Sequence, residues 1–190
     1  NRALFDGRAG TQRPHTLFIT CAVSRVVPEM ITQAEPGELF VCRNGGNIVP
    51  AYGEMMGGVS AVVEYAVTVL KVSNVVICGH TDCGAMKGLL NPESTKDLPT
   101  VETWLRNAQA AKSTVFARKV ADDEILQATI EENVRLQLDH IRTHPSVRAN
   151  SGITLQGWVY NIGDGSVTVL DETENRFLPL ADAIRREKHA

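Results

Sequence analysis

The residues with the most chemistry to offer are a histidine and a cysteine three apart, in His80-Thr81-Asp82-Cys83, just after the apolar run Val75-Val76-Ile77-Cys78-Gly79. A short apolar run that stops at a glycine reads as a buried strand passing into a turn and a helix. Upstream, Leu17-Phe18-Ile19-Thr20-Cys21 repeats the layout, with another cysteine at a strand end. Side by side in a parallel sheet, the two strands bring their carboxyl ends to one crevice, where open α/β sheets hold their sites. Cys21, His80 and Cys83 would then converge. Two thiolates and one imidazole suit Zn2+, and three protein ligands leave a fourth position for water or substrate, the pattern of a catalytic zinc site. His-x-x-Cys alone is better read as a buried cysteine beside a turn histidine. The second strand-end cysteine brings the metal reading level with that alternative.

Those side chains need a frame, and the chain supplies it in alternating elements. A strand over 16–20 precedes the Cys21 loop, and 26–32 reads as a helix that tolerates Pro28 only in its first turn. A strand over 39–43 runs into the glycine-bearing loop 44–47. Gly57 and Gly58 open a helix whose Val62, Val63, Ala66, Val67 and Leu70 recur at helical spacing. These glycines serve either close helix–sheet packing or an anion at free N–H groups. Cys83 begins a helix over 84–90, where the helix dipole favours a thiolate. After a polar linker, helices are expected over about 100–120 and 122–143, the second capped by Asp122 or Asp123. His140 and His144 stand four apart at its end. A helix C-terminus followed by Pro145, with no third ligand nearby in sequence, accounts for them without metal. The segments 154–161 and 166–170 flank Gly163-Asp164-Gly165 as a hairpin, and 180–188 closes as an amphipathic helix. The expected fold is α/β: a mostly parallel central sheet flanked by helices, with an antiparallel edge strand near the C-terminus.

At 190 residues the chain suits a single domain over 1–190. The net charge of −3 has no block of one sign, so nothing points to nucleic acid or an anionic membrane surface as partner. No apolar run reaches the roughly 20 residues of a membrane span, so no membrane contact is expected within this chain. Cys42 and Cys78 lie inside apolar runs and read as small buried hydrophobes, not as half of a secreted disulfide framework. A reducing compartment follows, read as cytoplasmic, with an organellar or carboxysomal setting left open. The chain starts at Asn1 rather than Met, and residues 1–15 read as the tail of an N-terminal arm that begins part-way through.

Together, Cys21-Ala22-Val23-Ser24-Arg25, Arg43-Asn44-Gly45-Gly46-Asn47 and His80-Thr81-Asp82-Cys83-Gly84 resemble the β-class carbonic anhydrases in both order and spacing. The similarity extends through Gly57-Gly58-Val59-Ser60-Ala61 and Glu64-Tyr65-Ala66 to Gly157-Trp158-Val159-Tyr160, nearly the whole chain. Leu70-Lys71-Val72-Ser73-Asn74 leans towards the plant-like branch. The resemblance implies zinc on Cys21, His80 and Cys83, reversible hydration of carbon dioxide to bicarbonate, and a homodimer or higher symmetric oligomer. It also implies a substrate pocket with the Gln12 amide reaching across the dimer interface, Phe40 and Tyr65 as walls, Gly84 beside them, and Gly45 where the plant-like branch tends to have a small aliphatic residue. That last difference predicts a slightly wider pocket.

One departure bears on the chemistry. The family motif is Cys-x-Asp-x-Arg, and Val23 stands where the aspartate belongs. In the family that carboxylate is the acid–base partner of the metal's water and is held by the arginine that here is Arg25. Valine can do neither, and since a buried, unpaired guanidinium is costly, Arg25 is expected to seek another anion or turn to water. Three readings follow: a zinc enzyme with impaired carbon dioxide hydration; an inactive bicarbonate- or anion-binding regulatory domain, part of a larger transporter or carbon-concentrating protein; or a hydrolase of carbon disulfide or carbonyl sulfide.

Overall fold

Six strands form one sheet in the computed structural model, which describes residues 12–187. They are β1 (Thr16–Cys21), β2 (Leu39–Asn44), β3 (Asn74–His80), β4 (Thr154–Tyr160), β5 (Val167–Asp171) and β6 (Arg176–Pro179), in the order β2-β1-β3-β4-β5-β6. The first four neighbours run parallel, and β5 and β6 are antiparallel. β1 and β3 are apolar in nearly every position because both faces are covered; every residue of β1 is buried. The expected fold class is therefore present, with one addition: the antiparallel flank has two strands. β6 is only four residues long, too short for its alternation to register in the sequence. The expected arm lies, up to residue 11, outside the described residues.

The chain leaves β1 towards β2 on one side and returns to place β3 on the other. β1 and β3 therefore flank the topological switch point, and the crevice beyond their carboxyl ends is where a ligand site forms in an open α/β sheet. Cys21 is the last residue of β1 and His80 the last of β3.

The helices are α1 (Pro28–Thr32), α2 (Gly58–Thr68), α3 (Gly84–Leu90), α4 (Pro99–Leu105), α5 (Gln109–Ala117), α6 (Ile125–Arg142), α7 (Pro145–Arg148) and α8 (Leu180–Glu187). Among the described residues none is long and apolar enough to cross a membrane. The helix expected over 100–120 is broken by a tight 3-10 turn at Arg106–Ala108. Asn107 donates its side-chain amide to the Trp104 carbonyl at 2.9 Å, competing locally with helical bonding. The expected aspartate cap of α6 is also absent. Residues 121–124 form a turn closed by Glu124 N–H to the Ala121 carbonyl at 3.0 Å, and no side chain caps the helix.

α6 lies directly on β3 and β4 because two glycines let it. A Cβ on Gly79 would sit 2.9 Å from Val134 Cγ2, and one on Gly157 would sit 2.8 Å from Val134 Cγ1 and 2.9 Å from Leu138 Cδ1. Ile130, Val134, Leu138 and Ile141 of α6 are buried in the main core with Leu17, Ile19 and Ile77. Gly157→Ala must push α6 outward, so it should destabilise the fold by about 1–3 kcal/mol, read as a lower denaturant midpoint at unchanged slope. Gly57 and Gly58 behave differently: nothing lies within 4 Å of a Cβ on either, so close packing is not what they serve.

Candidate metal centre

Cys21, His80 and Cys83 meet at the switch point. Their ligand atoms lie within 4.8 Å of one another, the only such group of three among the described residues. His80, Cys83 and Cys21 are 0%, 1% and 6% exposed. His80 Nδ1 is 2.7 Å from the Thr81 carbonyl. A carbonyl only accepts, so Nδ1 carries the proton and Nε2 the lone pair. Nε2 is buried and has no hydrogen-bond partner, an arrangement that costs about 1–3 kcal/mol unless a cation takes up the lone pair. Two sulfurs and one orphaned imidazole nitrogen within reach of each other fit zinc.

The two thiols already behave as a pair. A hydrogen bond from Cys83 favours the thiolate at Cys21 and outweighs burial, with further help from the Gly46 and Val23 backbone. Donating that bond, together with burial, pushes the Cys83 thiol far up, against backbone N–H groups of Met86 and Ala85 at the start of α3. A metal ion needs both sulfurs deprotonated and would replace the shared proton.

The loop that follows Cys21 is clamped by a residue whose role the motif did not disclose. Arg43 donates from Nε to the Cys21 carbonyl at 3.3 Å, and from Nη2 to the Val23 and Val26 carbonyls at 2.6 and 2.8 Å. Asn44 closes the next loop on itself, accepting from Ile48 N–H at 2.8 Å and donating to the Ile48 carbonyl at 2.9 Å. Val23 is partly buried against the main core. Arg25 is neither buried nor alone: its side chain is 52% exposed, and both terminal nitrogens lie 3.5 Å from Asp82 Oδ2. The anion it finds is the chain's own Asp82, and half of its side chain meets water, the two courses expected of an arginine with no carboxylate at position 23. Asp82 sits at φ 59° between His80 and Cys83, which turns its carboxylate outward onto Lys87 and Arg25. Lys87 first, then Arg25, hold the Asp82 carboxyl below the usual carboxylate range.

Of the other residues singled out in the sequence, Phe40 and Tyr65 come together, with ring centroids 6.0 Å apart. Gly84 opens α3 with nothing within 4 Å of its Cβ position. Gln12 is exposed. Gly45 does not simply widen the pocket. Trp104 lies 3.8 Å from its Cβ position and donates its indole N–H to the Gly45 carbonyl at 2.8 Å. That contact is ordinary van der Waals distance, so Gly45→Ala should fold with stability within about 0.5 kcal/mol of the parent, measured by denaturant titration. His140 Nδ1 and His144 Nε2 are 2.8 and 3.1 Å from the Val49 and Pro50 carbonyls, holding a loop rather than a metal.

Two donors at the ends of adjacent parallel strands and a third at the start of α3 make a buried cluster able to hold a metal ion in an α/β protein. The chain belongs to the carbonic anhydrase family, whose sequence profile matches residues 16–167. It is 50% identical over 183 residues to a carbonic anhydrase of Pseudomonas aeruginosa, covering 94% of this chain and 83% of that protein. Structural similarity places it among the β-class: the β-carbonic anhydrase CcaA superposes with a TM-score of 0.90 at 38% identity, over 94% of this chain and 82% of that one. One of two tetrameric β-carbonic anhydrases of Sordaria macrospora superposes with a TM-score of 0.80 at 30% identity, over 90% of this chain and 87% of that one.

Proposed function

We propose that this chain holds zinc on Cys21, His80 and Cys83 and hydrates carbon dioxide reversibly, at a rate held far below that of a site with an acid–base carboxylate. The observation that carries the zinc reading is the orphaned Nε2 of His80 within 4.8 Å of both sulfurs. Held by these three residues, zinc would supply a nucleophile near neutral pH by lowering the pKa of a bound water, from 15.7 to about 7 in all-histidine sites. Two thiolates donate more charge to the metal than imidazoles do, so the surrounding hydrogen bonds carry more of the tuning.

The chain's own residues divide the remaining work. Arg43 holds the Cys21 loop in shape. Phe40 and Tyr65 provide an apolar wall suited to an uncharged linear molecule. Arg25 and Lys87, sharing one carboxylate at Asp82, leave an excess positive charge beside the ligand loop that suits bicarbonate. At position 23 an aliphatic side chain stands where a proton acceptor is needed. Stopped-flow hydration on protein with its zinc measured tests the reading: about one zinc per chain with weak turnover is expected, and rates typical of the family would show that another residue orients the water. The second reading, a regulatory anion-binding domain, is favoured by Val23 and predicts full zinc occupancy with no hydration at all.

We further propose a symmetric oligomer. β2 is an edge strand, and Tyr52, Met56, Tyr65 and Val69 are 45%, 66%, 44% and 57% exposed, an open strand edge and exposed large apolar side chains of the kind a partner covers. Gln12 would then serve the partner's pocket. The oligomer is expected in a reducing compartment such as the cytoplasm, where Cys21 and Cys83 stay available as ligands. A strict monomer by light scattering, on protein with the N-terminal residues in place, counts against the assembly.

A further inference from the structure

We propose that Trp104 is a positioning residue for the metal centre, acting on Cys21 through the peptide group that joins Gly45 to Gly46. The indole N–H donates to the Gly45 carbonyl at 2.8 Å. The N–H of that same peptide unit, carried by Gly46, donates to Cys21 Sγ at 3.5 Å. Both bonds polarise the amide in one direction, so engaging its carbonyl makes its N–H a better donor. Chains of this kind strengthen by roughly 10–30% per bond.

The peptide is fixed as well as polarised. Gly46 has φ 85°, and a Cβ there would lie 2.9 Å from Ala85 Cβ, so the chain passes tightly over the start of α3. The Gly46 carbonyl accepts from Asn133 Nδ2 at 2.9 Å, and Asn133 Oδ1 accepts from Gln137 Nε2 at 2.8 Å. Gln137 Oε1 in turn accepts from Val49 N–H at 2.9 Å. α6 thus grips the loop on one side of the relay, and Trp104, partly buried against the core at the end of α4, grips it on the other. A donor aimed at a thiolate withdraws charge from the sulfur and leaves a bound metal more electrophilic. Such bonds also orient the ligand.

This inference rests on reading Cys21 as a metal ligand, and cobalt substitution tests the two separately. The Co2+ form of the parent should show thiolate-to-metal charge-transfer absorption. Trp104→Phe keeps an aromatic ring and removes the donor. It should move that band to longer wavelength and weaken metal binding by roughly 3–10-fold, the low side of the 10–100-fold typical for partners that touch a ligand directly. Benzothienylalanine at position 104 has sulfur in place of the N–H in a ring of the same shape, and should give the same spectral shift without loss of thermal stability. A parent band that neither substitution moves overturns the relay and leaves Trp104 a packing residue. A parent with no thiolate band overturns the metal reading and the relay with it.

Discussion

Alanine at His80 is expected to abolish zinc retention while leaving the chain folded. Loss of a hydrogen-bond partner to a metal ligand already weakens binding by about 10–100-fold, so loss of one of three ligands should exceed about 100-fold. The fold should survive because the change has two opposing effects. Removing the imidazole leaves a void at the end of β3, where His80 pairs with Tyr160 of β4, but it also removes a buried Nε2 that has no partner in the metal-free chain, itself unfavourable by about 1–3 kcal/mol. Thermal unfolding with and without a chelator reads both halves. A metal that binds only the native state stabilises it by about 4 kcal/mol when present at a thousandfold excess over its dissociation constant. Chelation should therefore lower the Tm of the parent and leave that of His80→Ala unchanged. His140→Ala and His144→Ala, whose rings contact the carbonyls of Val49 and Pro50, should keep zinc at the parent stoichiometry. An equal chelator response in His80→Ala and the parent would exclude His80 from the site.

The convergence of Cys21, His80 and Cys83 was legible in the sequence because it depends on backbone topology more than on side-chain packing. Cys21 and His80 each end an apolar run, and parallel neighbours at a switch point bring strand ends together whatever else the chain does. Cys83 follows by being one turn further on. The supporting contacts were not legible, since they join residues far apart in the chain. Trp104 reaches Gly45 across 59 positions and Asn133 reaches Gly46 across 87, and in a helix each reads as an ordinary polar or amphipathic residue. Asn133 and Gln137 even break the apolar face of α6, which argues locally against burial, yet both are buried. The Arg25–Asp82 pair was missed for another reason. The motif directs attention to position 23, while the geometry that brings a carboxylate to Arg25 is the left-handed backbone at Asp82, which no pattern of side chains announces. The broken helix between α4 and α5 belongs to the same class: its cause is one side-chain amide turned onto a nearby carbonyl.

Restoring a carboxylate by Val23→Asp should raise carbon dioxide hydration by about 10²–10⁴-fold, the usual worth of a group in general acid–base catalysis. In barrier terms that is roughly 3–5 kcal/mol at about 1.4 kcal/mol per tenfold. The loop that carries position 23 is held through backbone carbonyls by Arg43, so the side chain can change without the loop losing its grip. Val23 is only partly buried against the core, and exchanging it for a charged group should cost about 1 kcal/mol of stability, below the 1.5–3 kcal/mol of a fully buried aliphatic side chain. The new carboxylate competes for Arg25 with Asp82. At 3.5 Å and half exposed, that existing pair is weak, as exposed ion pairs generally are, and Asp82 keeps Lys87 if Arg25 turns away. A guanidinium also has donors enough for two carboxylates. Combining Val23→Asp with Asp82→Asn should therefore raise the rate further if Asp82 holds Arg25 back, and leave it unchanged if Arg25 serves both. A regulatory domain with an idle pocket predicts a different result: zinc bound, Arg25 free to pair, and no turnover in either variant. That outcome would place the defect beyond position 23.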